Sequence, residues 1–312
     1  MPFILLIFLL SFNRFDYQAD ILNQDSQIRL QITEQIIERS QPAPFQIYRP
    51  LFPLKKSFSP SPALNITAQS AVVIDKMSGA MLWQKNRDEI SSIASLTKLM
   101  TAMIFLETDP DMEKEYVMTE DDEDGMIGSR LQVKPGEKLK VKDLFYSSLV
   151  GSANNATLAM VHSTGISEEE FIKKMNERAS QLGLLKTNFS DVTGLAPENK
   201  STPLEYSVIT NFAFQNSKIR EAVNLPEYFF ETIDRKIKHT IKNTNQLLAD
   251  PDLHLIGAKT GYLDEAGYTF VLETEQNNHP FIVVLFGSET EYFRFQETKA
   301  LVDWTIQNYT WI

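Results

Sequence analysis

Residues 71–84 read AVVIDKMSGAMLWQ: two apolar runs, Ala71–Asp75 and Ala80–Gln84, on either side of a Lys76-Met77-Ser78-Gly79 turn. Alternating runs joined by a short glycine-bearing turn predict a β-hairpin. The same pattern returns near the end of the chain, where Tyr268–Thr274 and Pro280–Phe286 flank a polar Glu275–His279 turn. Between the two hairpins the periodicity is helical. Segments starting at Ser95 and running to Glu107, and then covering Val141–Val161, Glu168–Leu182 and Pro203–Asn224, carry apolar residues at three- and four-residue spacing. Tyr228–Lys242 reads as strand, and Phe293–Tyr309 as a closing helix. Strands at both ends with helices between them imply an α/β (α+β) domain in which the first and last strands share one sheet. The helical middle is then an insertion or second lobe.

Outward from this domain the chain changes character. Pro42, Pro44, Pro50, Pro53, Pro60 and Pro62 crowd one stretch that ends near Asn65. Such density blocks helix and ladder hydrogen bonds, so about 25 residues of it reach roughly 75 Å as a polyproline spacer. Ahead of it, Pro2–Phe12 (PFILLIFLLSF) has the size of a signal-peptide core or a short membrane anchor, with a buried strand or helix as the plainer alternative. No Lys or Arg precedes this run, and no small-x-small cleavage site follows it before Asn13, Arg14 and Phe15. The expected division is therefore a signal or anchor at 1–14, a polar and then proline-rich linker at 15–66, and a catalytic domain at 67–312. Export places that domain on the extracytoplasmic side, tethered to the membrane if the segment is retained.

Composition narrows the function. With 312 residues, 43% of them hydrophobic, the chain can bury one or two cores. A net charge of -11 argues against nucleic acid or anionic lipid as the main partner. The absence of cysteine removes disulfides, thiolate metal sites and a cysteine nucleophile. His162, His239, His254 and His279 fall at no metal-ligand spacing, so neither metal nor cofactor is expected. Glu120, Asp122, Asp124 and Gly125 imitate the start of a calcium loop, but its twelfth position is Leu131 where a Glu is required.

Three short motifs carry chemistry. Ser95-Leu96-Thr97-Lys98 puts a hydroxyl and an amine on one helix face. A serine hydroxyl becomes a competent nucleophile when a neighbouring base takes its proton, and a lysine held neutral by burial can be that base. At a helix start, backbone N–H groups also face any developing oxyanion. Ser152-Ala153-Asn154 interrupts an apolar stretch, LFYSSLVGSANNATLAMV, where a buried hydroxyl and amide need partners. Ser152 can relay a proton and Asn154 can grip a peptide carbonyl. Lys259-Thr260-Gly261 precedes Tyr262 and a strand, offering a charge, a hydroxyl and close backbone approach. Singly, these read as an N-cap serine with a solvated lysine, an Asn-rich turn and a strand-end lysine. Their occurrence in this order is what gives them weight.

With S-x-x-K, S-x-N and K-T-G in sequence, the chain resembles the penicillin-recognising serine enzymes, and specifically the low-molecular-mass D-alanyl-D-alanine carboxypeptidases. IASLTKLMTAM, GSRLQVKPGEKLKVKDLFYSSLVGSANNAT, FSDVTGLAPENKST and GAKTGYLDEAGYTFV carry the resemblance over roughly Ala68–Trp304. It implies a β-lactamase/transpeptidase-like fold, with a mixed, mainly antiparallel sheet flanked by helices. It also implies acylation of Ser95, with Lys98 as base, Ser152 and Lys259 as relay and charge, and Asn154 orienting substrate. The implied oxyanion hole is the backbone N–H groups of Ser95 and Tyr262, and Arg294 matches an arginine that binds the terminal carboxylate. The implied partners are peptidoglycan stem peptides, with β-lactams as covalent inhibitors. Other readings on the same fold are a D,D-endopeptidase, a β-lactamase or an inactive peptidoglycan-binding protein. No segment clearly supplies the extra Glu that a class A β-lactamase uses. Asp264 and Glu265 are expected at the cleft rim.

Overall fold

The computed structural model describes residues 52–56, 64–123, 127–276 and 278–311. The apolar segment Pro2–Phe12, most of the proline-rich stretch, and Asp124 and Gly125 lie outside the described residues. Of the proline-rich stretch, Leu54–Lys55 pairs antiparallel with Tyr309–Thr310. Residues 50–312 form one unit.

Its first hairpin is β1 (Ser70–Asp75) and β2 (Met81–Lys85). Helix α1 (Thr97–Glu107) follows, then α2 (Val141–Val150), α3 (Asn154–His162), α4 (Glu168–Gln181), α5 (Pro203–Ala213) and α6 (Ser217–Asn224). A small hairpin, β3 (Glu227–Glu231) and β4 (Lys238–Lys242), leads to β5 (Leu255–Leu263), β6 (Gly267–Gln276), β7 (His279–Ser288) and the closing helix α7 (Glu291–Asn308).

The central sheet has the order β5-β6-β7-β1-β2, so the last strand of the domain pairs with the first, as the two hairpins require. All four pairings are antiparallel, because each hairpin reverses the chain and β7 meets β1 head to tail. Both faces of the sheet are covered. Val72 and its partner Val284 face the larger core, shared with α1–α6. Val73 and its partner Val283 face a second core, closed by Phe295, Leu301 and Val302 of α7. Covering both faces explains why β1 is apolar along nearly its whole length.

Two long helical patterns turn out to be broken. Val141–Val161 splits into α2 and α3 at Gly151-Ser152-Ala153, where Ser152 adopts a left-handed φ of 56° that no helix can continue through. Pro203–Asn224 splits where Asn216 caps α6, its side chain accepting from the Lys218 N–H at 3.0 Å. The first break creates part of the functional site.

Candidate active site

Ser95 lies in a 3₁₀ turn, Ala94–Leu96, that leads directly into α1; it is half-buried between two fully buried neighbours. The turn is strained. Ala94 has a φ of 49°, a region costing a non-glycine residue about 1–3 kcal/mol and frequent at functional sites. Gly194 holds it from outside: its own φ is 89°, and a Cβ there would lie 2.0 Å from the Ala94 carbonyl oxygen. Gly261 of β5 presses from the other side. A Cβ on it would lie 2.4 Å from Thr269 Oγ1 and 3.1 Å from the Ser95 nitrogen. The sequence reading has this glycine admitting a substrate backbone; it lines the cleft and also lets the strand approach the backbone of Ser95.

One turn along, Lys98 is completely buried, with Nζ 2.9 Å from Ser95 Oγ. The same nitrogen donates to Asn154 Oδ1 at 2.7 Å and to the Thr193 carbonyl at 2.6 Å. Both of those oxygens can only accept. A neutral amine has two N–H bonds and one lone pair, so the two acceptors take both hydrogens and leave the lone pair aimed at the Ser95 hydroxyl. Burial lowers the Lys98 pKa from 10.5 to about 7, while the Asp191 charge pulls it back up.

Asn154, at the start of α3, is committed on both sides, since its Nδ2 donates to the Ile127 carbonyl at 2.6 Å. Its amide therefore orients Lys98 before any substrate arrives. Ser152 sits in the α2–α3 break, with Oγ accepting from Lys259 Nζ at 2.8 Å; that nitrogen also reaches the Thr260 carbonyl at 3.0 Å. Burial, and then the charges of Lys98 and Arg294, hold the Lys259 pKa well below its usual value. Thr260 shares a 2.5 Å hydroxyl contact with Thr244.

Sequence reasoning counts FSDVTGLAPENKST towards the resemblance but gives no role to the loop within it that contacts Lys98. Asp191 Oδ1 accepts from the backbone N–H groups of Thr193 and Gly194, and Oδ2 from that of Ala196. Asn199 ties the loop to α1 through Nδ2 and Thr97 Oγ1, 3.1 Å apart. The signal was an Asp three residues before a glycine, the mark of a side-chain-capped turn, but nothing local says that its carbonyl meets Lys98.

These elements surround a cavity of about 510 Å³ lined by Ser95, Ser152, Asn154, Thr260, Gly261, Tyr262 and Arg294, with Lys98 and Lys259 buried beneath. Asp264 and Glu265 lie at its edge, with Asp264 bonded to the Tyr262 hydroxyl at 2.6 Å. Ile127, Gly128, Ser129, Thr244, Leu195 and Glu291 also line the wall. Arg294 is buried in the first turns of α7 and donates to the Gly261 carbonyl at 3.1 Å. The three motifs and Arg294 thus meet in one cleft, although they come from four separate stretches of the chain.

The geometry has known counterparts. The D-alanyl-D-alanine carboxypeptidase family profile matches residues 56–290. The chain is 34% identical over 249 residues to the D-alanyl-D-alanine endopeptidase of Haemophilus influenzae, spanning 79% of this chain and 84% of that protein. It is 33% identical to the D-alanyl-D-alanine carboxypeptidase DacF of Bacillus subtilis, covering 78% of this chain but only 63% of that longer protein. Among solved structures, the Streptomyces K15 DD-transpeptidase superposes with a TM-score of 0.74 at 26% identity, over 78% of this chain and 98% of that one. Penicillin-binding protein D2 of Listeria monocytogenes, in its cefotaxime-bound form, gives 0.70 at 28% identity, over 78% and 99%. On the strength of the profile match and these relatives, this chain belongs to the D-alanyl-D-alanine carboxypeptidase family.

Proposed function

We propose that this protein is a serine-type D-Ala-D-Ala carboxypeptidase that removes the terminal D-alanine of peptidoglycan stem peptides through an acyl-enzyme on Ser95. One observation carries the reading: a fully buried lysine whose nitrogen lies 2.9 Å from the Ser95 hydroxyl and whose two other partners can only accept. Ser95 Oγ attacks the penultimate D-Ala carbonyl while Lys98 takes its proton. The backbone N–H groups of Ser95 and Tyr262 receive the oxyanion. Ser152, hydrogen-bonded to Lys259, passes a proton to the leaving D-Ala nitrogen, and Arg294 and Thr260 hold the terminal carboxylate. Water then takes the place of the departed amine and frees Ser95. β-Lactams acylate the same hydroxyl. The substrate places the enzyme on the extracytoplasmic side, where a retained Pro2–Phe12 segment tethers it to the membrane through the proline-rich spacer. Among the described residues, no helix is long and apolar enough to cross a bilayer.

The test is release of D-alanine from a diacetyl-Lys-D-Ala-D-Ala tripeptide, with Ser95→Ala as control. Ser95-dependent release is expected, and its absence at high enzyme concentration overturns the carboxypeptidase reading. A D,D-endopeptidase is the second reading. The chain is 34% identical over 249 residues to a relative with that name. Cleavage of crosslinked muropeptides in preference to the tripeptide decides for it.

A further inference from the structure

Arg294 is an unusual cation. Its side chain is only 5% exposed, lodged against the rings of Tyr268 and Phe295, with the guanidinium carbon 5.3 and 4.7 Å from their centroids. Nη1 gives one of its two hydrogens to the Gly261 carbonyl, and Nε is buried without a partner. The remaining nitrogen, Nη2, is bonded at 3.0 Å to Glu291 Oε1. Glu291 is the opposite kind of group. It sits in the first turn of α7, its side chain is 54% exposed, and it forms part of the cleft wall. Asp264 and Glu265 line the same mouth, but Asp264 is engaged by Tyr262, and among the described residues Glu291 is the only carboxylate paired with Arg294.

A carboxylate is recognised by a guanidinium through its N–H donors, and of the five here one Nη1 hydrogen goes to the backbone and one Nη2 hydrogen to Glu291. The exposed member of the pair can swing into solvent at small cost, while the buried member cannot move. From this asymmetry we infer that Glu291 is a specificity-determining residue, an internal carboxylate that pairs with Arg294 and is displaced by the C-terminal carboxylate of the substrate. The inference rests on the assignment of Arg294 as the terminal-carboxylate group. It has two consequences. The buried guanidinium is never left without a counter-charge, and each carboxylate-terminated ligand must first break an existing ion pair. A ligand ending in a carboxamide cannot make the exchange and is indifferent to Glu291.

The experiment uses the full chain with Glu291→Gln and Glu291→Ala, each also placed on Ser95→Ala so that binding is read without turnover. The probes are diacetyl-Lys-D-Ala-D-Ala with a free carboxylate and the same peptide as its carboxamide. Since a half-exposed pair is weak, its removal should tighten binding of the acid about two- to five-fold. It should lower KM for the acid by a similar factor with kcat unchanged, and leave the carboxamide where it was. Binding of the acid that is unchanged or weakened, or an equal shift for both peptides, overturns the inference. If no variant releases D-alanine but binding of the acid still tightens selectively, the carboxypeptidase reading falls and the role of Glu291 stands. If turnover proceeds and the acid-over-amide preference does not move, the role of Glu291 falls alone.

Discussion

A lysine buried for its basicity must weaken the fold at neutral pH, and that cost can be measured. Lys98 is wholly buried, and its pKa drops from 10.5 to about 7 in the folded chain. Between these values the unfolded chain binds a proton that the native one does not, so stability must rise with pH across this window, at ~1.4 kcal/mol per pH unit. From pH 7 to pH 10 the relief comes to about 3 to 4 kcal/mol, allowing for partial titration at both ends. Lys98→Met keeps the volume and removes the titration. It also strands the Asn154 and Thr193 oxygens, a penalty of about 1–3 kcal/mol each that does not depend on pH. As Lys98 loses its proton its charge on Lys259 fades, so from pH 8 upwards the contribution of that second buried lysine largely cancels when the two proteins are compared. Urea unfolding of both at pH 7, 8, 9 and 10 should show wild type gaining on the variant along this slope. Two parallel stability curves would refute a depressed Lys98 pKa, and with it the neutral base.

Other expectations follow from the same geometry. The rate of penicillin acylation should climb tenfold per pH unit up to about pH 7 and then level off, as Lys98 loses its proton; a flat profile from pH 5 to 9 contradicts Lys98 as base. Ser152→Ala should cut turnover by about 10²- to 10⁴-fold with circular dichroism unchanged, and near-normal turnover would remove Ser152 from the proton path. Gly194→Ala forces a Cβ to 2.0 Å from the Ala94 carbonyl at a φ of 89°. It should lower stability by about 2 kcal/mol or more and slow acylation, and a variant with native thermal stability and labelling would show that the turn around Ser95 tolerates displacement.

Much of this was legible in the chain itself. The terminal hairpins declare themselves through alternation and turn residues, and their antiparallel meeting through β7 and β1 follows from having strands at both ends. The motif residues were readable because hydroxyls, amides and lysines in apolar surroundings demand partners. Other features depend on tertiary structure. The break at Ser152 lies inside a continuous helical pattern, and only the demand to meet Lys259 from β5 fixes its left-handed φ. The Asp191 loop acts through the Thr193 carbonyl, a backbone atom without a sequence signature. The second demand on Gly261, its close packing against Thr269 and Ser95, appears only when the sheet brings them together. Glu291 reads as an ordinary acidic residue at a helix start until Arg294 is seen to be buried beside it.

The most direct test of the central claim is the site of acylation. The full-length protein is incubated with benzylpenicillin, digested, and searched by mass spectrometry for the penicilloyl adduct. The account predicts a single adduct, on the peptide containing Ser95, that is absent from Ser95→Ala. An adduct on any other residue, or undiminished labelling of the Ser95→Ala protein, would contradict it.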